Sequence, residues 1–223
     1  MKNRIASLCT PLFFGPRKFG KNFTGSKLYR AGKVFFSSSP MLFTRAIIAN
    51  PRAVGAACPS SSKLARAIAD QVKLPNDGLI LELGGGTGAV TAALLRRGVD
   101  PSRLVVVEMD KLMARHLKNR FKGVSVIQGN AVKFCQLCNR YGRHVTTVVS
   151  SLPLLSLPKG TVEAFGKEVQ KMLGDDGVLI QYTYRINKNP SPLAAYMERI
   201  ATKAVWGNFP PARVEIFRAR QHC

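Results

Sequence analysis

The sequence predicts an α/β fold: a mostly parallel, seven-stranded sheet with helices on both faces and a terminal antiparallel hairpin. Three observations carry this expectation. From Leu79 onward, short apolar runs alternate with stretches of helical length, the pattern of a parallel sheet covered on both faces. The first run passes into glycines, Gly84 to Gly88, and then into a helix, so the chain turns tightly where a ligand can approach backbone. Past Tyr184 and a Pro-containing loop, two short segments around Val205 and Val214 to Phe217 suit a hairpin at the sheet edge.

Each element can be read in order. Residues 1 to 38 are rich in Gly, Ser, Lys and Arg with scattered Phe and little periodicity, which reads as a basic, flexible arm. Residues 39 to 74 read as N-terminal helices that cap the substrate side. Ser39-Pro40 starts a short apolar helix over Met41 to Ala49, ended by Asn50-Pro51, and Ser60 to Ser62 caps a second helix running to about Val72. Residues 75 to 223 form the main domain. Its strands are expected at Leu79 to Leu83, Arg103 to Glu108, Val124 to Gln128, Val145 to Ser150 and Val178 to Tyr184. Its helices are expected at Ala89 to Arg97, Lys111 to Phe121, Lys133 to Tyr141, Thr161 to Leu173 and near Leu193 to Thr202.

Charge narrows the partners. The chain has 34 Lys and Arg against 12 Asp and Glu, a formal net charge of +22. The excess is uneven: twelve basic residues and no acidic one precede Asp70. Such a chain seeks a polyanion, an anionic membrane surface or, as the competing partner, nucleic acid. No run of 18 apolar residues marks a membrane-spanning helix, and Ser7, Thr10 and Pro11 interrupt the only apolar patch near the start. An acid-free, Arg-containing leader is also what an organelle transit peptide looks like; a retained basic arm ranks above it. The five cysteines form no disulfide framework, which suits a reducing cytoplasm. Cys135 and Cys138 have metal-like spacing, but no second pair or nearby His completes a site, so no metal is expected.

The chemistry is concentrated at strand ends. In Leu79 to Gly88, LILELGGGTG, Glu82 stands just before Gly84, Gly86 and Gly88. A carboxylate there suits a ligand carrying an ammonium group and repels a pyrophosphate, which argues against a dinucleotide. Glu108 ends the next strand about twenty residues on, where a carboxylate can accept both hydroxyls of a ribose. Gly129-Asn130-Ala131 follows the third strand, where Asn130 can accept from an adenine amino group. Three such elements in order, each at the C-terminal end of a strand, point to a pocket for S-adenosyl-L-methionine.

With those residues in place, the sequence resembles the Rossmann-like class I methyltransferases, and more narrowly the bacterial phospholipid N-methyltransferases that act on phosphatidylethanolamine. The narrower likeness rests on NPRAVGAACPSS from Asn50, LELGGGTGAVT from Leu81, SSLPLLSLP from Ser150, QYTY from Gln181 and VWGNFPPA from Val205. It spans roughly residues 41 to 220. Gly85 stands where proline is common in the family, and Asn130 where aspartate is common. The resemblance implies that the cofactor contacts Glu82, Gly84, Gly86, Thr87, Gly88, Glu108, Met109, Gly129, Asn130, Ala131 and Ser150. It also puts the SSLP segment at the reaction centre, with Ser151, Leu152, Pro153 and Tyr184 binding substrate and Ser151, Tyr182 and Tyr184 in catalytic roles.

The implied activity is methylation of the phosphatidylethanolamine headgroup towards phosphatidylcholine, by an enzyme peripheral on the cytoplasmic membrane. The rRNA adenine N6-methyltransferases are the alternative. They share the sheet and a related N-L-P-Y segment, but here Ser151 replaces the Asn and Leu154 the aromatic residue, removing an amide partner and a stacking ring for a flipped base. The chain also stops soon after the hairpin, leaving little room for a helical RNA-binding domain. A cofactor-binding protein without activity is the third class, disfavoured by the intact Glu82, glycine turn and Glu108.

Overall fold

The computed structural model describes residues 61–74, 77–134, 144–173, 176–185, 190–208 and 210–219. The expected arm, the helix over Met41 to Ala49, most of the helix over Lys133 to Tyr141, and the Cys135/Cys138 pair lie outside the described residues. Seven strands form one sheet: β1 (Leu79–Leu83), β2 (Leu104–Glu108), β3 (Ser125–Gln128), β4 (Val145–Ser150), β5 (Val178–Thr183), β6 (Met197–Val205) and β7 (Ala212–Ala219). Their order is β3-β2-β1-β4-β5-β7-β6, with β1 to β5 parallel and β7 antiparallel to both β5 and β6. The sheet order reverses between β1 and β4. In open α/β sheets, ligands collect at such a switch point, outside the C-terminal ends of the strands.

The central strands are apolar throughout because both of their faces are covered. All five residues of β1 and of β2 are buried. Alternation sends Ile80 and Glu82 to one face of the sheet, and Leu79, Leu81 and Leu83 to the other. On the first face pack α1 (Ser62–Ala69), α2 (Ala89–Arg97) and α3 (Lys111–Arg120), through Leu64, Ile68, Val90, Leu94 and Leu117 against Val106, Ile180 and Val214. On the second lies α4 (Lys159–Leu173), whose Phe165 and Val169 pack with Phe134, Leu81, Leu179 and Phe217. Burying a side chain of this size stabilises by roughly 1.5–3 kcal/mol. The two clusters are therefore the main source of stability.

Local chemistry sets the helix ends. The Ser61 Oγ accepts from the Leu64 N–H at the start of α1, and Asp110 Oδ1 accepts from the Leu112 and Met113 N–H groups at the start of α3. Gly98, at φ +103°, closes α2 in a left-handed conformation that suits glycine.

One expected element is overturned. The stretch near Leu193 to Thr202 is not a helix: a turn over 192–196 leads into β6. Its Ala, Met and Glu favour helix in isolation, but β7 offers a row of unpaired backbone groups that residues 197–205 satisfy. The resulting edge strand is exposed along its middle and carries Glu198, Arg199 and Lys203, charges that discourage edge-to-edge pairing. Glu215 on β7, itself buried, accepts from Arg199 at 2.8 Å and Arg213 at 2.9 Å and ties the hairpin together. Elsewhere the boundaries move by a residue or a few. Arg103 and Val124 precede their strands, α1 is shorter than expected, and α4 starts at Lys159.

Candidate active site

The loops that leave β1, β3 and β4 are clipped to the C-terminal ends of neighbouring strands by backbone hydrogen bonds. Gly84 N–H donates to Val107 O (2.9 Å), Gly129 N–H to Glu108 O (3.0 Å) and Ser151 N–H to Leu83 O (2.9 Å). A Cβ placed on Gly84 would lie 3.6 Å from the Ser151 Cβ and 3.7 Å from the Leu152 Cδ2. The glycine turn and the Ser150–Pro153 loop, far apart in sequence, are thus in contact.

The glycine turn has two different requirements. Gly84, Gly86 and Gly88 all have positive φ, at 84°, 50° and 79°. Gly88 is packed: a Cβ there would come within 2.5 Å of the Phe121 ring and 2.9 Å of Leu117. Gly86 faces open space, with nothing within 4 Å of where a Cβ would be. Gly85 is also crowded, since its Cβ would meet Val106 at 2.5 Å and Leu117 at 2.7 Å.

Two carboxylates flank this turn. Glu108 is nearly buried; its Oε2 accepts from Gly86 N–H (2.8 Å) and its Oε1 from Asp110 N–H (2.9 Å), which fixes it at the end of β2. Glu82 is completely buried on the face of β1 that packs against α1, α2 and α3, and its Oε2 accepts from the Thr91 hydroxyl of α2 at 2.7 Å. Its Oε1 has no hydrogen-bond donor among the described residues. Burial pushes the Glu82 carboxyl up to about 8, opposed by its bonds to Thr91 and helped slightly by the Glu108 charge. A buried acid with one oxygen unsatisfied is costly in a purely structural role and suits an incoming cation.

The remaining expected residues are distributed as follows. Ser150 is buried and its Oγ accepts from Leu152 N–H at 3.3 Å. Ser151 and Leu152 are half-buried against the glycine turn, and Pro153 is exposed. Tyr182 packs against the first core cluster and meets Tyr184 edge to face, with ring centroids 5.7 Å apart, at the end of β5. Met109 is exposed beside Glu108, Thr87 is half-buried in the turn, and Ala131 is buried. Asn130 uses its Oδ1 to cap the short turn Ala131–Lys133 through the Val132 N–H, so that oxygen already has one partner.

Two residues of this site escape sequence reasoning. Thr91 is the partner of Glu82; its position one helical turn after the glycines was the available signal. Gln181, in register with Ser150 on the neighbouring strand, is buried and donates from Nε2 to Leu152 O (3.0 Å) and Tyr182 O (2.9 Å). Those two carbonyls fix its amide orientation and leave Oε1 buried with no donor among the described residues.

The residues fit S-adenosyl-L-methionine: an open cradle at Gly86, a fixed carboxylate at the ribose position, and an unsatisfied buried acid for an ammonium. Residues 80–177 match the family described as Methyltransferase domain. Ornithine lipid N-methyltransferase of Singulisphaera acidiphila is 30% identical over 146 residues, 64% of this chain and 76% of that protein. Ribosomal RNA small subunit methyltransferase A of Mycoplasma capricolum is 31% identical over 98 residues, 42% of this chain and 36% of that protein. The fold is shared with solved structures. A TehB-like SAM-dependent methyltransferase of Corynebacterium glutamicum has a TM-score of 0.54 at 16% identity, covering 79% of this chain and 96% of that one. The N-methyltransferase NodS of Bradyrhizobium japonicum, in complex with S-adenosyl-l-homocysteine, has a TM-score of 0.55 at 16% identity, covering 73% and 86%.

Proposed function

Because the chain belongs to the class I S-adenosylmethionine-dependent methyltransferases, in the family that includes ornithine lipid N-methyltransferase, we propose that it methylates the headgroup amine of phosphatidylethanolamine at an anionic membrane surface. The observation that carries this reading is the contact of Ser151 and Leu152 with the glycine turn, joined by the Gln181 side chain, which keeps a buried acceptor unused. An amine has N–H groups to offer such an acceptor. The ornithine lipid N-methyltransferase relative acts on a lipid, and the basic character of this chain favours lipid headgroups on an anionic surface. The enzyme would act from the cytoplasmic side as a peripheral protein; no described helix is long and apolar enough to cross a membrane.

Bound S-adenosylmethionine supplies a methyl group on a sulfonium, open to in-line displacement. The chain's residues must do the rest. Glu82 would hold the ammonium end of the cofactor, Glu108 the ribose hydroxyls, and the Gly86 and Thr87 turn the space between them. A headgroup ammonium titrates near the lysine value of about 10 and must be neutral to attack. Gln181 Oε1 and the Ser151 hydroxyl would orient the neutral amine, and the enclosed site would favour loss of its charge. Tyr182 and Tyr184 would stabilise the methylated ammonium through their ring faces. None of these groups is a strong base, so the proton passes to water and the rate climbs with pH.

RNA methylation is less well supported. Leu154, at the position of the stacking aromatic, is buried in the second core cluster and unavailable to a base. The deciding experiment offers labelled S-adenosylmethionine together with phosphatidylethanolamine vesicles and rRNA in parallel. Label is expected in the lipid extract. Label confined to RNA would overturn the lipid reading while leaving the methyltransferase assignment in place.

A further inference from the structure

The sheet has two edges, and their surfaces differ. The C-terminal ends of β1 to β5 define one edge. The turn between β6 and β7 lies at the same edge, because Val205 pairs with Ala212 and Thr183 with Arg213. Exposed large apolar side chains gather there. Met109 follows β2, Leu112 is in the first turn of α3, Leu155 follows β4, Tyr184 follows β5, and Trp206 lies in the hairpin turn. Ile200, at the bulge of β6, is the exception among the described residues. Leu112 is 67% exposed and Trp206 is 70% exposed, values that water alone does not reward for such side chains.

The exposed acids follow the same division, although exposed cations occur at both ends, with Lys73, Arg96, Arg97, Lys122 and Lys171 at the far one. Lys63, Lys111, Lys159 and Arg185 are exposed at this edge, at the starts of α1, α3 and α4 and at the end of β5. The Lys63 stem lies against Gly207, next to Trp206 in the turn. Asp77, Asp100, Asp176 and Glu198 are all exposed at the opposite edge, just before or at the start of β1, β2, β5 and β6. At the C-terminal edge, Asp110 is occupied in capping α3 and Glu163 is bonded to Lys167. Apolar residues at the rim with cations around them match an anionic lipid interface, where Trp sits at headgroup level and Lys and Arg meet phosphates.

We infer that this edge is itself a membrane-docking face, with Trp206 and Leu112 entering the interface of an anionic bilayer and Lys63, Lys111, Lys159 and Arg185 meeting its phosphates. The inference rests on the lipid reading above and deepens it. Docking in this orientation sets the mouth of the pocket against the leaflet, so a headgroup reaches Ser151 and Gln181 without the lipid leaving the membrane. A flat apolar rim would equally cover a second copy of the chain or single-stranded RNA, but cations at a rim whose acids, among the described residues, are capping a helix or paired with lysine favour phospholipid over a second basic chain.

Trp206 is the only tryptophan, so the native chain carries its own probe. The full-length protein is mixed with vesicles of phosphatidylethanolamine and phosphatidylglycerol, and with vesicles of phosphatidylcholine alone. With the anionic vesicles, emission is expected to shift to the blue and to be quenched by brominated acyl chains; phosphatidylcholine vesicles in high salt leave it unchanged. The double variant Leu112→Ser/Trp206→Ser is expected to lose about tenfold or more in flotation with anionic vesicles. It should keep methylating lipid dispersed in detergent micelles, which present the headgroup without a bilayer. Lipid methylated from vesicles while Trp206 emission stays that of water would overturn the docking face and spare the function. No lipid methylated in either vesicles or micelles would overturn the function itself. Emission moved by RNA but not by vesicles, or already blue-shifted without lipid and reddening on dilution, would assign the face to RNA or to a second copy and overturn the inference.

Discussion

At the residue scale, the most informative group is Glu82, a carboxyl buried completely inside an apolar strand with one oxygen unsatisfied among the described residues. Its carboxyl is raised by burial to about 8, against about 4.5 in the unfolded chain. The folded protein therefore holds a proton that the unfolded chain releases, and stability falls as pH rises from about 4.5 to about 8. Glu82→Gln, which is neutral at every pH, is expected to flatten this part of the pH profile in thermal unfolding; an unchanged slope would assign the titration elsewhere. If the ionised acid receives the cofactor's ammonium, binding of S-adenosylmethionine releases a proton near neutral pH, and calorimetry in buffers of different ionisation enthalpy reads that release directly. Gln181 calls for a different measurement. Gln181→Leu removes both the clamp on Leu152 and the unused acceptor, and is expected to lower kcat by roughly tenfold to a hundredfold with cofactor affinity unchanged. A loss of cofactor binding instead would make it part of the cofactor pocket. Glu82 was legible in the sequence because an acid inside an apolar run is anomalous. Thr91 and Gln181 were not, since a Thr in a helix and a Gln in a strand are unremarkable until the fold supplies their partners.

At the scale of elements, the glycine turn shows how one motif combines packing with function. Gly88 and Gly86 both adopt left-handed backbone, but only Gly88 is enclosed. Gly88→Ala is expected to destabilise by about 3 kcal/mol, joining backbone strain to a clash with Phe121. Gly86→Ala should cost only about 1 kcal/mol of stability, yet weaken cofactor affinity roughly tenfold or more by placing a methyl group in the cradle. Urea unfolding and S-adenosylhomocysteine titration separate the two effects; equal affinity losses with equal destabilisation would deny the cradle its role. The crowding at Gly85 gives a physical reading of the glycine found where the family commonly has proline: Val106 and Leu117 occupy the space a ring would take. Parallel strands were legible because each is apolar and followed by a helical period. The segment from Leu193 was misread because local propensity favours helix there, and the competing influence, the unpaired edge of β7, comes from residues about fifteen positions later. Nothing in the window around Leu193 carries that information.

At the scale of the whole molecule, charge is the property least tied to the fold and most plainly written in the sequence. The acid-free stretch before Asp70 holds twelve Lys and Arg, eight of them within residues 1 to 38. A domain stabilised by two apolar clusters has no folding use for such an excess, which raises self-repulsion in the compact state. On the proposed lipid reading its use is long-range attraction, which each basic residue near an anionic leaflet would increase by about 1 kcal/mol, within a Debye length of about 8 Å at physiological salt. Deleting residues 1 to 38 is therefore expected to weaken flotation with phosphatidylglycerol-containing vesicles by roughly two orders of magnitude and to flatten its dependence on salt. The same deletion should leave the thermal midpoint of the sheet and methyl transfer to micellar lipid unchanged, because the two apolar clusters are complete in residues from Leu64 onward and the arm reads as lying outside the main domain. A sharp drop in the thermal midpoint would make the leader part of the folded unit. Undiminished vesicle binding with lost affinity for RNA would instead show that the basic leader serves nucleic acid, and would leave attachment to lipid to the edge that carries Trp206.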